Sequence, residues 1–255
     1  LNEGIHFYPG IDASYRIGDN FRLYGSWNRA LRMPTFTDLY YEGKTNKGNP
    51  DLKPEESEAF EVGLKYNTYF LRAHIAGFYR KGKNMIDWVK EKPEDIWESQ
   101  NLTKVDNLGF ETNLSLLPRE LGNERFFIRK IELGYAFIHQ DKDSEGYISN
   151  YALDYLKHKF TAQLSHSIWK GFSATWYVRW QDRAGSYTKY ENLKPAYEEP
   201  YAPYCLVDMK VNWEYQRLNL DAELNNLLNY TYYDVGNIPH PGIWFKAGFR
   251  YSFKY

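Results

Sequence analysis

Five ionisable residues are the first candidates for chemistry: Glu61 and Glu111, with Arg72, His74 and Arg80 between them. Each falls on the polar side of an alternating segment. A carboxylate there can take a charge-assisted bond, bidentate when the partner is a guanidinium, or it can stand solvated on a wet face. Carboxylates also crowd at Glu55, Glu56 and Glu58 and at Asp141 and Asp143. Such runs could draw calcium, but they lack the glycine and spacing of an EF-hand loop and read as solvated charge. His139, His158, His166 and His240 show no metal-ligand spacing. Cys205, the single cysteine, excludes an internal disulfide and a cysteine metal site and reads as a small buried hydrophobe. No Gly-x-Ser-x-Gly, His-Glu-x-x-His or phosphate-cradling loop occurs, and paired carboxylates are unavoidable among 33 acidic residues. The expectation is a non-enzyme with no cofactor.

The elements that must carry these residues are strands. In residues 243–255, Ile243, Phe245, Ala247, Phe249, Tyr251, Phe253 and Tyr255 share one face, while Lys246, Gly248, Arg250 and Ser252 share the other. Side chains alternate with a period of two along a strand, so this segment lies between an apolar and a wet environment. The pattern recurs, for example at Phe7, Ile11, Ala13, Tyr15 and Ile17; at Phe60, Val62, Leu64 and Tyr66; and at Phe172, Ala174, Trp176, Val178 and Trp180. About eleven such strands are expected, each roughly the ten residues that a tilted strand needs to cross a bilayer.

Composition limits the architecture. The 255 residues carry a net charge of -1 and contain no repeat or linker, which points to one domain, 1–255, with no nucleic-acid footprint. A mean hydropathy of -0.69 and 25% charged residues exclude a helical membrane protein. A barrel with a polar lumen and polar loops escapes that test. The 18% aromatic content, with 24 Tyr and 8 Trp, suits a sheet with rings at two membrane interfaces. No signal peptide is present and Leu1 begins in mid-sequence, so a fragment of a longer protein is expected.

Connectors alternate in length. Short ones fall at 18–20, 67–68, 118–125, 168–171 and 214–216; long ones at 30–56, 90–100, 140–154, 182–203 and 229–242. Outer-membrane barrels have this asymmetry, with short periplasmic turns and long external loops. Tyr15, Phe21, Tyr66, Tyr69, Trp169, Phe172, Trp213 and Tyr255 lie near the short turns or the C-terminus, where they would form a girdle. A soluble, aromatic-rich carbohydrate-binding β-sandwich is the alternative fold, but it does not explain a long connector at every second turn. A surface adhesin or passive pore is a further alternative in function.

Three ordered blocks carry a resemblance. The first runs Leu31-Arg32-Met33-Pro34-Thr35-Phe36-Thr37-Asp38-Leu39-Tyr40, then Gly48-Asn49-Pro50-Asp51-Leu52-Lys53-Pro54-Glu55 and Glu61-Val62-Gly63. The second is Asn107-Leu108-Gly109-Phe110-Glu111. The third is Asn225-Asn226-Leu227-Leu228-Asn229-Tyr230-Thr231-Tyr232-Tyr233 with Pro241-Gly242-Ile243, where Ile243 stands in place of the usual arginine. Together they resemble TonB-dependent outer-membrane receptors over essentially the whole chain. That resemblance implies an all-β, antiparallel, up-and-down transmembrane β-barrel in a Gram-negative outer membrane, this chain supplying the C-terminal eleven or so of about 22 strands. The plug domain and the N-terminal strands would be missing partners, because two unpaired edges are costly in lipid.

The resemblance further implies that Glu61 and Glu111 pair with plug arginines, with Arg72 and Arg80 also facing the plug. A ligand would sit at the outer mouth near Tyr40, Tyr41, Trp88, Trp97, Tyr187, Tyr190, Tyr197, Tyr232 and Tyr233, where rigid rings suit a flat macrocycle or chelate. The final Tyr-Tyr-Asp-Val-Gly segment is most similar to receptors of the vitamin B12 type, with haem and ferric-siderophore receptors as alternatives. Implied partners are the TonB complex, membrane lipid and lipopolysaccharide, the nutrient ligand and a surface lipoprotein.

Overall fold

The computed structural model describes residues 7–92, 94–122, 125–143, 146–149, 155–191 and 194–253. Its strands are β1 (Gly10–Ile17), β2 (Phe21–Arg32), β3 (Asn46–Lys47), β4 (Glu55–Asn67), β5 (Leu71–Lys90), β6 (Trp97–Leu116), β7 (Ile128–Asp143), β8 (Ile148–Ser149), β9 (Tyr155–Trp169), β10 (Phe172–Ala184), β11 (Ser186–Glu191), β12 (Lys194–Pro200), β13 (Tyr204–Tyr215), β14 (Leu218–Asn225) and β15 (Trp244–Tyr251). One short helix, α1 (Phe36–Tyr40), and a 3-10 turn at Pro118–Leu121 complete the regular structure among the described residues.

Eleven strands form one sequential path, β1-β2-β4-β5-β6-β7-β9-β10-β13-β14-β15, with β3 beside β6, β8 beside β5, and β11–β12 as a separate hairpin. The registers of β1–β2, β7–β9, β10–β13, β13–β14 and β14–β15 are antiparallel. Each keeps like face on like face. Ile11 stands opposite Trp27 and Tyr15 opposite Leu23; Leu220 stands opposite Phe249 and Leu224 opposite Phe245. A slip of one residue would exchange the two faces entirely.

The apolar face is turned outward. Val62, Ile75, Leu108, Phe245 and Phe249 are exposed, whereas the buried apolar residues among those described are few: Leu39, Leu52, Ala76, Val89, Val105, Ala174, Tyr204 and Leu206. Leaving one Leu or Phe in water forfeits about 1.5–3 kcal/mol, so a face of this kind requires lipid. A β-sandwich would bury the same aromatic rows between two sheets, and the exposure pattern removes that alternative. At the short-turn ends Tyr15, Phe21, Tyr69, Trp169 and Phe172 are exposed, and Phe172 stacks on Trp213 at 5.9 Å. That arrangement is the expected girdle; Tyr255 lies outside the described residues. The turn between β9 and β10 places Lys170 and Gly171 at φ 34° and 85°, the left-handed pair that a two-residue hairpin uses.

Strand lengths differ from expectation. β5 and β6 each run 20 residues, about 66 Å at 3.3 Å per residue, and so outreach a hydrocarbon core of about 30 Å even when tilted. The expected connector 90–100 shrinks to 91–96, so Trp97 stands on a strand rather than on a loop, as Trp88 does on β5. The connector 182–203 is largely the β11–β12 hairpin, which carries Tyr187, Tyr190 and Tyr197 on strands. The expected lengths assumed that pairing stops where the bilayer stops, whereas backbone hydrogen bonding continues into the aqueous loops. At the C-terminal end β15 stops at Tyr251 rather than continuing to 255.

The chain divides into two compact units. The first comprises Leu1–Leu64, Ala76–Phe110 and Ile138–Tyr155; the second comprises Lys65–Ile75, Glu111–Phe137 and Leu156–Tyr255.

Candidate functional site

In the first unit the Arg32-to-Glu55 block forms a tied loop base. Thr35 caps α1 and forms a capping box with Asp38, whose amide donates to Thr35 Oγ1 at 3.1 Å. Arg32 forks onto Glu55, with Nη2 2.6 Å from Oε1 and Nε bonded to Oε2, and its Nη1 lies 3.9 Å from Asp38 Oδ2. Glu55 is buried and its Oε1 also accepts the Ile86 amide at 2.7 Å. The carboxylate run that suggested a cation is therefore spent on protein partners at Glu55. Arg29 pairs with Glu56 at 3.7 Å, and the Trp27 indole donates to Glu58 at 2.8 Å.

Glu61 stands on the polar face and accepts the Tyr24 hydroxyl at 2.8 Å. The Tyr24 ring reaches it by lying across Gly63, where a Cβ would come within 2.5 Å of ring atoms. The Glu-x-Gly step is thus a seat for a tyrosine. Arg80 is exposed on β5. Of the expected mouth aromatics in this unit, Tyr40 packs on Phe36 at 4.8 Å and Tyr41 meets the edge of Trp88 at 6.3 Å. Trp97 lies beneath the Lys90 ammonium at 4.6 Å.

In the second unit a cavity of about 730 Å3 opens on the polar face, with Arg72, His74, Glu132, Arg179, Asp208 and Glu223 among its lining. Its size is that of a small-molecule pocket. Glu111 lies 3.8 Å from His74 but does not line the cavity. Of the four expected plug-facing residues, then, Arg72 reaches the cavity, Glu111 meets His74, and Glu61 and Arg80 belong to the other unit.

The remaining aromatics form two groups. Tyr187 packs against Tyr201 at 5.1 Å and Tyr233 at 6.0 Å, with Lys189 over both Tyr187 and Tyr233 at 5.8 and 5.6 Å. Glu199 accepts from Lys189 at 2.8 Å and from Tyr187 at 3.2 Å. Its bond from Lys189 holds the Glu199 carboxyl below its usual range and raises the Lys189 ammonium in return. Burial, then the Glu199 bond, raises the Tyr187 phenol. Tyr232 stacks on His240 at 4.7 Å and lies tilted against Tyr204 at 4.7 Å. Tyr190 and Tyr197 are exposed on the hairpin. His158 packs on Phe137 and Trp180 and hydrogen-bonds the Tyr135 hydroxyl at 2.8 Å, and His166 accepts the Trp176 indole at 3.2 Å, so both are held by neighbouring aromatic side chains.

Asn226 is a residue whose role sequence reading did not single out. It is buried and left-handed at φ 52°. Its Nδ2 donates to Tyr230 O at 2.8 Å and Pro241 O at 3.2 Å, while its Oδ1 accepts the Tyr230 amide at 2.9 Å. One side chain therefore holds both ends of the last loop. Asn229 Oδ1 accepts the Ile243 amide at 2.9 Å, against a Gly242 whose Cβ would lie only 2.3 Å from that oxygen.

A lipid-facing antiparallel sheet with aromatic interface rows, a polar inner face and tied external loops defines part of an outer-membrane β-barrel. Residues 4–227 match the TonB dependent receptor-like β-barrel family model, and the chain belongs to that family, whose members lie in the Gram-negative outer membrane. It is 27% identical over 170 residues to the vitamin B12 transporter BtuB of Vibrio vulnificus (strain YJ016), covering 52% of this chain and 27% of that protein. It is 22% identical over 267 residues to the ferrienterobactin receptor of Escherichia coli (strain K12), covering 94% of this chain and 34% of that protein. The chain thus spans roughly a third or less of either relative. Among solved structures, the ferric enterobactin receptor PfeA of Pseudomonas aeruginosa (Q482A mutant, with enterobactin) superposes with a TM-score of 0.72 at 20% identity, over 96% of this chain and 40% of that one.

Proposed function

We propose that this chain is the C-terminal barrel part of a TonB-dependent receptor that imports a scarce nutrient across the outer membrane, and that the nutrient is cobalamin. The observation that carries the choice of nutrient is the similarity to vitamin B12 transporters from two organisms. In this reading the plug and the remaining strands lie in the rest of a protein whose relatives are much longer than this chain. Lipid and lipopolysaccharide surround the apolar face, TonB acts through the plug, and a surface lipoprotein caps the mouth. Glu61, Glu111, Arg72 and Arg80 face the plug. Tyr187, Tyr232 and Tyr233, with Tyr40, Tyr41, Trp88, Trp97 and Tyr190, supply aromatic surface to the ligand at the mouth. Glu61→Gln with Glu111→Gln in the full receptor should lower the urea concentration at which the plug unfolds; an unchanged midpoint refutes the plug-facing role.

A ferric-siderophore or haem receptor is the second reading. It is favoured by the match to the ferrienterobactin receptor over 94% of the chain. Titration calorimetry of the detergent-purified full-length receptor with cyanocobalamin, haem and a ferric-siderophore panel decides between the two. Nanomolar cobalamin binding supports the first; tight iron-complex binding with none to cobalamin replaces it with the second.

A further inference from the structure

The cavity in the second unit carries an uneven set of charges. Two of its acids are paired with cations within the sheet, Glu132 with Lys130 at 2.8 Å and Glu223 with Lys246 at 2.9 Å, and the third, Asp208, accepts the Asn226 amide at its Oδ1 at 2.7 Å. Arg72 and Arg179 line the same space and have no carboxylate partner among the described residues. Any solid body that covers the cavity must either strand two guanidiniums away from water, which is costly, or bring anionic groups to them. Arginine presents a planar fork suited to two parallel bonds to one carboxylate.

We propose that the cavity seats an acidic segment of the receptor's plug, with side-chain carboxylates bound by Arg72 and Arg179. The proposal rests on the reading of this chain as part of a plugged barrel. It reverses the polarity expected at Glu61 and Glu111, where the barrel supplies the acid: at the cavity the barrel supplies the base and the plug the carboxylate. Charge complementarity selects the occupant. A basic segment would leave both arginines unpaired and would meet two acids already held by Lys130 and Lys246.

The test uses the full-length receptor in detergent, with Cys205→Ser as background and Gln163→Cys as a reporter in the cavity lining. The rate of labelling by a membrane-impermeant maleimide reads coverage. Labelling should be slow in the parent, at least tenfold faster with Arg72→Met and Arg179→Met together, and intermediate with Arg72→Lys and Arg179→Lys. Slow, unchanged labelling in a folded Met double variant overturns the proposal and leaves the plugged-barrel reading intact. Fast labelling in the parent also overturns the proposal. Protection that survives proteolytic removal of the plug assigns the cavity to another occupant and also overturns the proposal. Should the Met variants fail to fold, changing each plug Asp and Glu in turn to its amide reads the same rate from the other side: at least one should accelerate labelling, and none doing so overturns the proposal.

Discussion

Replacing Asn226 with alanine should release the last external loop without unpairing the strands that flank it. The side chain makes three hydrogen bonds, to Tyr230 O, Pro241 O and the Tyr230 amide, each worth about 1 kcal/mol net in a buried setting. Asn226 also sits at φ 52°, where asparagine is tolerated and alanine costs about 1 kcal/mol more. The sum is about 4 kcal/mol, or roughly a 10³-fold rise in the opening equilibrium at 1.4 kcal/mol per decade. The β14–β15 ladder, paired from Leu218↔Tyr251 to Asn225↔Trp244, contains none of these bonds and should keep its protection. Hydrogen exchange in detergent reads both regions at once: the Tyr230 amide should exchange about 10³-fold faster, with peptides from β15 unchanged. Asn226→Gly loses the same bonds but relieves the left-handed backbone, so its increase should be nearer 10². Asn226→Asp turns the donor that faces Tyr230 O and Pro241 O into a buried acceptor, and should rise at least as far as alanine. A Tyr230 amide that exchanges within threefold of the parent in Asn226→Ala refutes the clamp. Equal rates for alanine and glycine refute the backbone contribution.

Ile75→Arg, on the exposed apolar face, should cost about 2–4 kcal/mol if it lies near the bilayer midplane, measured as a lowered urea midpoint of the heat-modifiable barrel band; a neutral effect refutes the face assignment. Gly63→Ala should displace the Tyr24 ring and break its 2.8 Å bond to Glu61, at an overpacking cost of about 1–3 kcal/mol; the paired change Tyr24→Ala with Gly63→Ala should cost less than the sum of its parts, and strict additivity refutes the contact. The Lys189–Glu199 contact should hold the β11–β12 hairpin across a broad pH window. Glu199 is depressed below its usual 4.5, so its contribution is present above that value and is lost as pH falls through the lower folded value. Lys189 is raised above 10.5, so its contribution is complete below that value and lost as pH climbs through the higher folded one. Proteolysis of residues 186–200 should therefore accelerate at acid and at strongly alkaline pH, and Glu199→Gln should abolish the acid limb.

What was legible in the sequence is what a period of two encodes. The faces of β1 and β15 follow from alternate residues alone, because each side chain's environment is set by its parity. The resemblance blocks were also visible, but not the physical reason for their spelling. Gly63 is required by Tyr24, 39 positions earlier, and Gly242 by Asn229; both demands arise only once register brings separate segments into contact. Strand ends are not set by the bilayer alone, since β5 and β6 continue pairing past any apolar signal and carry Trp97 out of the expected connector. Charge shows the limit most clearly. Lys130 and Glu132 stand two residues apart and could have been paired by inspection, whereas Glu223 meets Lys246 only through the β14–β15 register. Before that register is known, the cavity's acids and bases look interchangeable as partners for a plug. Afterwards Glu132 and Glu223 are spent inside the sheet, and Arg72 and Arg179 are left to choose what docks.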